Sequence, residues 1–418
     1  MTDERAMHNS PAYDVCVIGG GAAGMMAAIS AAELGVTVLV LEKNPYLGKK
    51  LRITGKGRCN VTNNCTVSEM LEAVRTNSKF LYGAINRFTP ADTMEFFEDC
   101  GVRLKTERGR RVFPVSDSAT EIRDAMEKRM RELGVRVICS STVTSIDGYD
   151  GDFTVNTSKR SYSARSVIIA SGGVSYPGTG STGDGHRILS EMGVEITPLS
   201  PSLVPIVTKE DFSDIMGLSL KNVTLTVRHG KETAYSELGE MLFTHFGVSG
   251  PLVLSASANM QKHPIDTYTM SVNLKPALTT EELDRRVIGD LRKYATRDFI
   301  NSLGDLLPQK LIPWIVQRSE IDPRKKSGEI TREERARLVS ALSDFNITPE
   351  SFRPIDEAII TSGGVAVREI SPKTMELKAN PGIFVCGEII DVDAYTGGYN
   401  LQIAFSTARA AGISAAYR

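Results

Sequence analysis

Gly19, Gly21 and Gly24 stand in the spacing G-x-G-x-x-G, and a carboxylate, Glu42, follows about twenty residues on. These residue types in this order suit the holding of a dinucleotide. Gly19 permits a tight turn, Gly21 lets the backbone approach a pyrophosphate, and Gly24 lets a helix pack against a strand. Glu42 is placed to accept from ribose hydroxyls. Cations come next: Lys49, Lys50, Arg52, Lys56 and Arg58 fall within residues 44–64, where they would offset phosphate charge. The plainer reading of that stretch is a solvated basic loop. A second set suits proton transfer. His245 lies in the glycine-flanked loop FTHFGVSGP, and histidine as a residue type titrates near neutrality. Tyr176 and Tyr399 carry hydroxyls suited to a carbonyl oxygen that gathers negative charge. Packing roles remain open for all three. His186, at the start of a helical stretch, reads as structural.

The flanking elements give the glycines their force. An apolar run at 15–18 ends at Gly19. A small-residue, proline-free stretch at 22–32 follows, then a second apolar run at 36–41 that ends at Glu42. Strand, turn, helix, strand and acid make a βαβ unit whose helix N-terminus offers free N–H groups to phosphates. A glycine-rich turn in an unrelated α/β domain would need neither the register nor the terminal acid.

The chain has 418 residues, 41% hydrophobic and 24% charged, with a net charge of −1. That length suits two or three domains. Near-neutral charge gives no electrostatic case for nucleic acid or an anionic membrane. No apolar run is long enough for a membrane span. The polar start, MTDERAMHNSPAY, has no apolar signal region, and six cysteines form no C-x-x-C. We therefore expect a cytoplasmic protein with free thiols and no metal site. Nothing in the sequence sets the oligomeric state.

Further along, residues 67–100 read as amphipathic helices broken near Pro90, 101–116 as strand, basic turn and strand, and 120–134 as helix. Short strands follow at 135–146, 153–157 and 161–173. The last ends at Gly172-Gly173, a strand end of the kind where ligands bind. SYPGTGSTGDGHRI (175–188) reads as a tight loop entering a helix. From Pro198 short β-like runs appear at 202–208, 222–230 and 267–274, with 239–259 read as a loop and helix. Residues 279–345 read as charged helices, and strands are expected to resume in 354–377. The final stretch, 382–418, reads as a strand, a Gly387-Glu388 end, a glycine-rich turn and a helix opening at Gly397-Gly398-Tyr399-Asn400.

Three features favour FAD over a nicotinamide. A late helix N-terminus suits the negative charge that a reduced isoalloxazine gathers. Glu388 offers an acceptor for ribityl hydroxyls. The C-terminal segment returns to the first sheet. TGKGRCNVTN (54–63), GRRVFPVSD (109–117), SYPGTGSTGDG (175–185), GEMLFTHFGVSGP (239–251), TSGGV (361–365) and GEIIDVDAYTGGYNLQIA (387–404) then resemble the BaiN/YhiN-type flavoproteins, which share the wider glutathione-reductase-like FAD fold. The resemblance runs through nearly the whole chain. It implies an α/β architecture: a Rossmann FAD domain with an inserted β-barrel-like domain and a helical subdomain. The expected boundaries are 1–197 and 379–418 for the FAD domain, 198–276 and 346–378 for the barrel-like domain, and 277–345 for the helices. The family includes a bile-acid reductase acting on 3-oxo-Δ4/Δ6 steroids and an aminoacetone oxidase. Leu377, Ala394 and the pair Ala408-Arg409 depart from its usual pattern.

By motif, the implied FAD contacts are Gly19, Gly21, Ala22, Ala23, Gly24, Glu42, Lys43, Lys50, Arg52, Gly57, Arg58 and Asn60. To these we add Val143, Gly172, Glu388, Asn400, Leu401 and Gln402. The cofactor is expected to be non-covalent, since the 44–64 loop has no histidine. No second fingerprint exists, so NAD(P)H would bind transiently as donor. Cys59 and Cys65 invite a disulfide-reductase reading, against which stand their polar loop and a C-terminus without histidine. The expected function is an FAD-dependent oxidoreductase that reduces an enone, such as a 3-oxo bile acid, as a small hydrophobic substrate. A flavin amine oxidase using oxygen and a non-catalytic flavin-holding factor are the alternatives.

Overall fold

Buried β-branched and leucine side chains on both faces mark the strands that build the first sheet. Val15, Cys16, Val17, Leu39 and Val40 are all fully buried, the pattern of a parallel sheet covered on both sides. The computed structural model describes residues 12–418, so the polar start lies almost wholly outside the described residues. The chain divides into two units, one running to Ser202 and resuming over Ala358–Arg418, the other Leu203–Glu357.

In the first unit the parallel strands run in the order Arg136–Ile138, Val38–Leu41, Tyr13–Ile18, Ser161–Ile169 and Ile383–Val385. Asp152–Thr157 and Val143–Tyr149 extend this seven-stranded sheet with antiparallel pairing. The helix Ala22–Ala32 is buried almost all round. Small residues let the last helix, Tyr399–Ala416, lie against it. A side chain at Gly412 would come within 2.4 Å of the Ala27 carbonyl oxygen. Arg409, a departure from the family pattern, bridges these helices through Glu33 at 2.6 Å. The expected break near Pro90 is a helix start: Thr89 caps Pro90–Asp99 through the Asp92 N–H, and proline fills the first turn. A small antiparallel sheet joins Thr62–Asn63, Arg111–Pro114 and Leu104–Glu107.

The second unit holds a seven-stranded antiparallel sheet. Its longest strands, Ser219–His229 and Glu232–Thr244, form a hairpin. GEMLFT is thus strand where a loop was expected; Met241 and Phe243 alternate inward with the period of two that marks a half-buried strand. The helices Thr280–Lys293, Ile312–Ser319 and Arg332–Ser343 share one core with this sheet, Val287 and Leu338 clustering with Leu225, Phe243 and Phe345.

Residues 358–378, expected in the barrel-like domain, group with the first unit. Ile360–Ser362 pairs with Ser200–Ser202, and Ile370, Met375 and Leu377 enter the first unit's core. Within the expected strand-rich stretch 354–377 the only strand is Ile360–Ser362; short 3-10 turns and bends fill the remainder. No helix among the described residues is long and apolar enough to cross a membrane.

Candidate functional site

The three glycines do different work at the end of Tyr13–Ile18. Gly19 has φ +100°, and a side chain there would meet the Ala170 carbonyl oxygen at 2.6 Å. At Gly24 it would meet the Gly19 carbonyl oxygen at 1.8 Å, whereas at Gly21 it would meet nothing within 4 Å. Two positions are therefore closed by packing, and one faces open space. Gly21 caps the helix without a side-chain bond, and the first intrahelical bond runs from the Met25 N–H to the Gly21 oxygen at 2.9 Å. Ala22, Ala23 and Gly24 accordingly keep N–H groups for an outside acceptor.

Glu42 is buried at the end of Val38–Leu41. Its Oε2 accepts from the Gly20 N–H at 2.7 Å, and its Oε1 accepts from the Asn44 N–H at 2.7 Å and Asn44 Nδ2 at 2.8 Å. A carboxylate has about four acceptor positions, so one remains.

The helix Tyr399–Ala416 also starts without a side-chain cap, at Gly398 with φ +98°. A side chain at Gly398 would come within 2.3 Å of the Thr62 carbonyl oxygen and 2.9 Å of Asn60 Oδ1. Asn60 Oδ1 and Ser171 Oγ are buried with no hydrogen-bond partner. Asn60 Oδ1 thus lies beside the uncapped end at Gly398, whereas Ser171 Oγ faces Gly185 in the helix Asp184–Glu191, 2.1 Å from where a side chain there would begin. Two uncapped N-termini, an open face at Gly21 and the orphaned Asn60 Oδ1 fit a ligand with an anionic middle and polar ends, as FAD is. Asn400 and Leu401 would offer only backbone N–H groups. The Asn400 side chain turns back to Ala394, accepting from its N–H at 2.9 Å and donating to its oxygen at 2.8 Å.

Several expected contacts are committed elsewhere. Gln402 is fully buried: its Oε1 accepts from Thr62 Oγ1 at 2.6 Å, and its Nε2 donates to the Phe88 oxygen at 3.0 Å. Lys43 donates to Thr182 and pairs with Asp184 at 2.6 Å. Arg58 pairs with Glu107 and with Asp117, the latter at 2.6 Å, and lies over the Phe113 ring. Lys50 pairs with Glu388 at 2.6 Å. Arg52 is exposed, over the Tyr46 ring. Gly57 sits in a run of positive-φ residues that includes Gly55, Lys56 and Cys59. Val143 opens Val143–Tyr149, and Gly172 has φ +76° at the carboxyl end of Ser161–Ile169.

Among the proton-transfer candidates, Tyr176 holds φ +52°, is 37% exposed, and has no partner for its hydroxyl among the described residues. A non-glycine residue in that conformation is a strained position of the kind found at functional sites. Tyr399 begins the last helix with its ring against Gly397. His245 belongs to the second unit, exposed in the turn after Glu232–Thr244 and edge-on to Phe246. His186 is buried, with Nε2 3.0 Å from the Ile389 oxygen; burial pulls its pKa below the usual histidine value. All six cysteines are free. Burial pushes the Cys59 thiol up to about 12 and the Cys65 thiol to about 11, which leaves neither a thiolate at neutral pH. Sequence reasoning missed Ser171, Ser175 and Thr361. Single hydroxyls carry no spacing signature, although Ser175 begins the SYPGTG loop.

The family model of the HI0933-like protein Rossmann domain matches residues 13–414. The chain belongs to the HI0933-like family. A 3-dehydro-bile acid Δ4,6-reductase of Clostridium scindens is 30% identical, over 96% of this chain and 98% of its own. A ribosomal RNA dihydrouridine synthase of Escherichia coli K12 is 30% identical, over 95% of this chain and 96% of its own. The HI0933-like fold also resembles two solved structures at low identity. A 3-ketosteroid Δ4-(5α)-dehydrogenase of Rhodococcus jostii in complex with 4-androstene-3,17-dione gives a TM-score of 0.53 at 15% identity, covering 97% of both chains. The open conformation of a flavocytochrome c3 fumarate reductase gives 0.51 at 17%, covering 98% of this chain and 79% of that one. This HI0933-like chain is an enzyme, an FAD-dependent oxidoreductase with a Rossmann fold.

Proposed function

We propose that the enzyme reduces a C=C bond conjugated to a carbonyl, with NAD(P)H as the electron donor. The observation that carries this reading is the reaction shared by two relatives matched over nearly their whole lengths. A 3-dehydro-bile acid Δ4,6-reductase and a dihydrouridine synthase are each named for the saturation of a C=C bond next to a carbonyl system. The substrate in our reading is a hydrophobic 3-oxo-Δ4 or Δ6 steroid or bile acid.

When bound, FAD supplies the hydride. Saturation of an enone would then require a proton at the α-carbon and a donor for the carbonyl oxygen, where negative charge would gather. The protein's part is to hold the cofactor, stabilise the oxygen and supply the proton. For cofactor binding we assign the N–H groups of Ala22, Ala23, Gly24, Asn400 and Leu401, the last acceptor position of Glu42, and Asn60 Oδ1. Tyr176, at positive φ and with no hydroxyl partner among the described residues, donates to the carbonyl oxygen, with Tyr399 as the second candidate. His245 is our candidate for the proton source.

A second reading takes uridine in RNA as the conjugated system. Besides the Escherichia coli relative, one surface feature favours it. The segment 103–111 holds Arg103, Lys105, Arg108, Arg110 and Arg111, and Arg103 and Arg108 are exposed without an ion pair among the described residues. Lys105, Arg110 and Arg111 are paired with Asp117, Glu69 and Glu107, so within a net charge of −1 it is Arg103 and Arg108 that are left to meet phosphates. The two readings separate by acceptor. Protein reduced anaerobically with NADH or NADPH is offered 4-androstene-3,17-dione or a uridine-containing RNA, and flavin reoxidation is followed. Reoxidation by oxygen alone, after reduction by an amine, would overturn both readings in favour of an amine oxidase.

A further inference from the structure

Lys50 and Glu388 both stand where a cofactor ligand is expected, a cation for phosphate and a carboxylate for ribityl hydroxyls. Their hydrogen bonds leave little for either task. Lys50 Nζ has three donors. It donates to Ser175 Oγ at 2.7 Å, Glu388 Oε1 at 2.9 Å and Glu388 Oε2 at 2.6 Å. The ammonium is fully used. Glu388 Oε1 also accepts from Ser175 Oγ at 2.9 Å and from the Thr361 N–H at 3.0 Å. Oε1 thus meets three donors, Lys50, Ser175 and Thr361, while Oε2 takes Lys50 and keeps one acceptor position. Each side chain is about four-fifths buried, at 22% and 21% exposed.

The cluster ties together four stretches remote in sequence: the cationic loop through Lys50, the 172–175 loop through Ser175, the short strand Ile360–Ser362 through Thr361, and the Gly387–Ile389 turn through Glu388. Thr361 Oγ1 accepts in turn from the Val174 N–H at 2.8 Å and the Ser175 N–H at 3.1 Å. Gly173 lies in the middle. A side chain there would meet Thr361 Oγ1 at 2.3 Å and Glu388 Oε1 at 3.1 Å. The packing that excludes a side chain at 173 shows a closed joint with no room for a ligand atom at that point.

We propose that Lys50 and Glu388 are not cofactor ligands but one charged clamp, a pair of positioning residues that hold the walls of the FAD cradle at the strand ends. The inference rests on the reading of this region as that cradle. Removing one partner leaves the other charge buried and unpaired, which is more disruptive than removing both. The pair is therefore non-additive, as residues in direct contact are.

The test is a double-mutant cycle with Lys50→Met, Glu388→Gln and the double variant in the full chain. Two quantities are read: the FAD dissociation constant by flavin fluorescence, and the melting temperature of the apoprotein. The introduced glutamine keeps an acceptor for Thr361 and Ser175, and the introduced methionine keeps the aliphatic stem. The clamp predicts that each single variant weakens FAD binding at least ~tenfold and lowers the apoprotein melting temperature. It predicts that the double variant recovers to within ~threefold of the parent constant and regains most of the melting temperature. Additive losses of FAD affinity, with the apoprotein melting temperature unmoved, would show two independent ligands and overturn the proposal. If the parent protein bound no FAD, the cradle reading would fail, while the melting cycle would still decide whether the pair is a clamp.

Discussion

Glu42 has three of its acceptor positions filled from within the protein, by the Gly20 N–H and the two nitrogens of Asn44. Glu42→Ala removes both the remaining ribose acceptor and the anchor of the turn at Gly20. FAD occupancy after purification is expected to fall, with affinity lower by about 1–3 kcal/mol; full occupancy would dismiss the ribose assignment. His245→Ala is expected to keep the flavin content and slow turnover by about a hundredfold. Steady-state kinetics equal to the parent's would reduce His245 to a surface residue. Glu388 carries a pH signature. Burial alone would push its carboxyl up, but the Lys50 charge, the bonds from Lys50, the Thr361 N–H and Ser175 outweigh burial and hold it below the usual value of 4.5. A carboxyl lowered on folding lends stability that is complete above its unfolded value and is lost as pH falls through its folded value. Lys50→Met should therefore move the acid-unfolding midpoint, followed by circular dichroism, to higher pH. An unmoved midpoint together with unchanged stability at neutral pH would mean the pair contributes nothing to stability.

The βαβ element was legible because everything that makes it is local: two apolar runs, a small-residue helix and glycines at fixed offsets. Its glycines separate experimentally. Gly21→Ala meets nothing within 4 Å, so the apoprotein should melt within about 0.5 kcal/mol of the parent while losing FAD affinity. Gly24→Ala drives a methyl to 1.8 Å from a backbone oxygen and should cost about 1–3 kcal/mol or more of stability. Equal melting of the two apoproteins in urea would contradict this division of labour. The ion pairs were illegible for the opposite reason. Arg58 meets Asp117 across 59 positions, Lys43 meets Asp184 across 141, and Lys50 meets Glu388 across 338. A count of cations in the loop sees the charges and not the acids that folding brings to them. The strand at GEMLFT was hidden by Gly239 and Glu240, although the alternation of Met241 and Phe243 was present.

At the scale of the whole chain, the cradle we propose draws on both of its ends. Gly21 and Gly398 cap helices that start near opposite termini and lie packed along each other in the first unit. That juxtaposition was readable only through motifs at both ends, and the grouping of residues 358–378 with the first unit was not, because their pairing partner lies at Ser200–Ser202. A whole-chain net charge of −1 averages over local clusters such as the cations of 103–111. The central claim is that this enzyme saturates a C=C bond conjugated to a carbonyl. The most direct measurement is anaerobic half-reaction spectroscopy of the holoenzyme. NADH or NADPH should bleach the flavin, and a 3-oxo-4-ene steroid should restore its absorbance with formation of the saturated ketone. A flavin that only an amine reduces and only oxygen reoxidises would contradict the account.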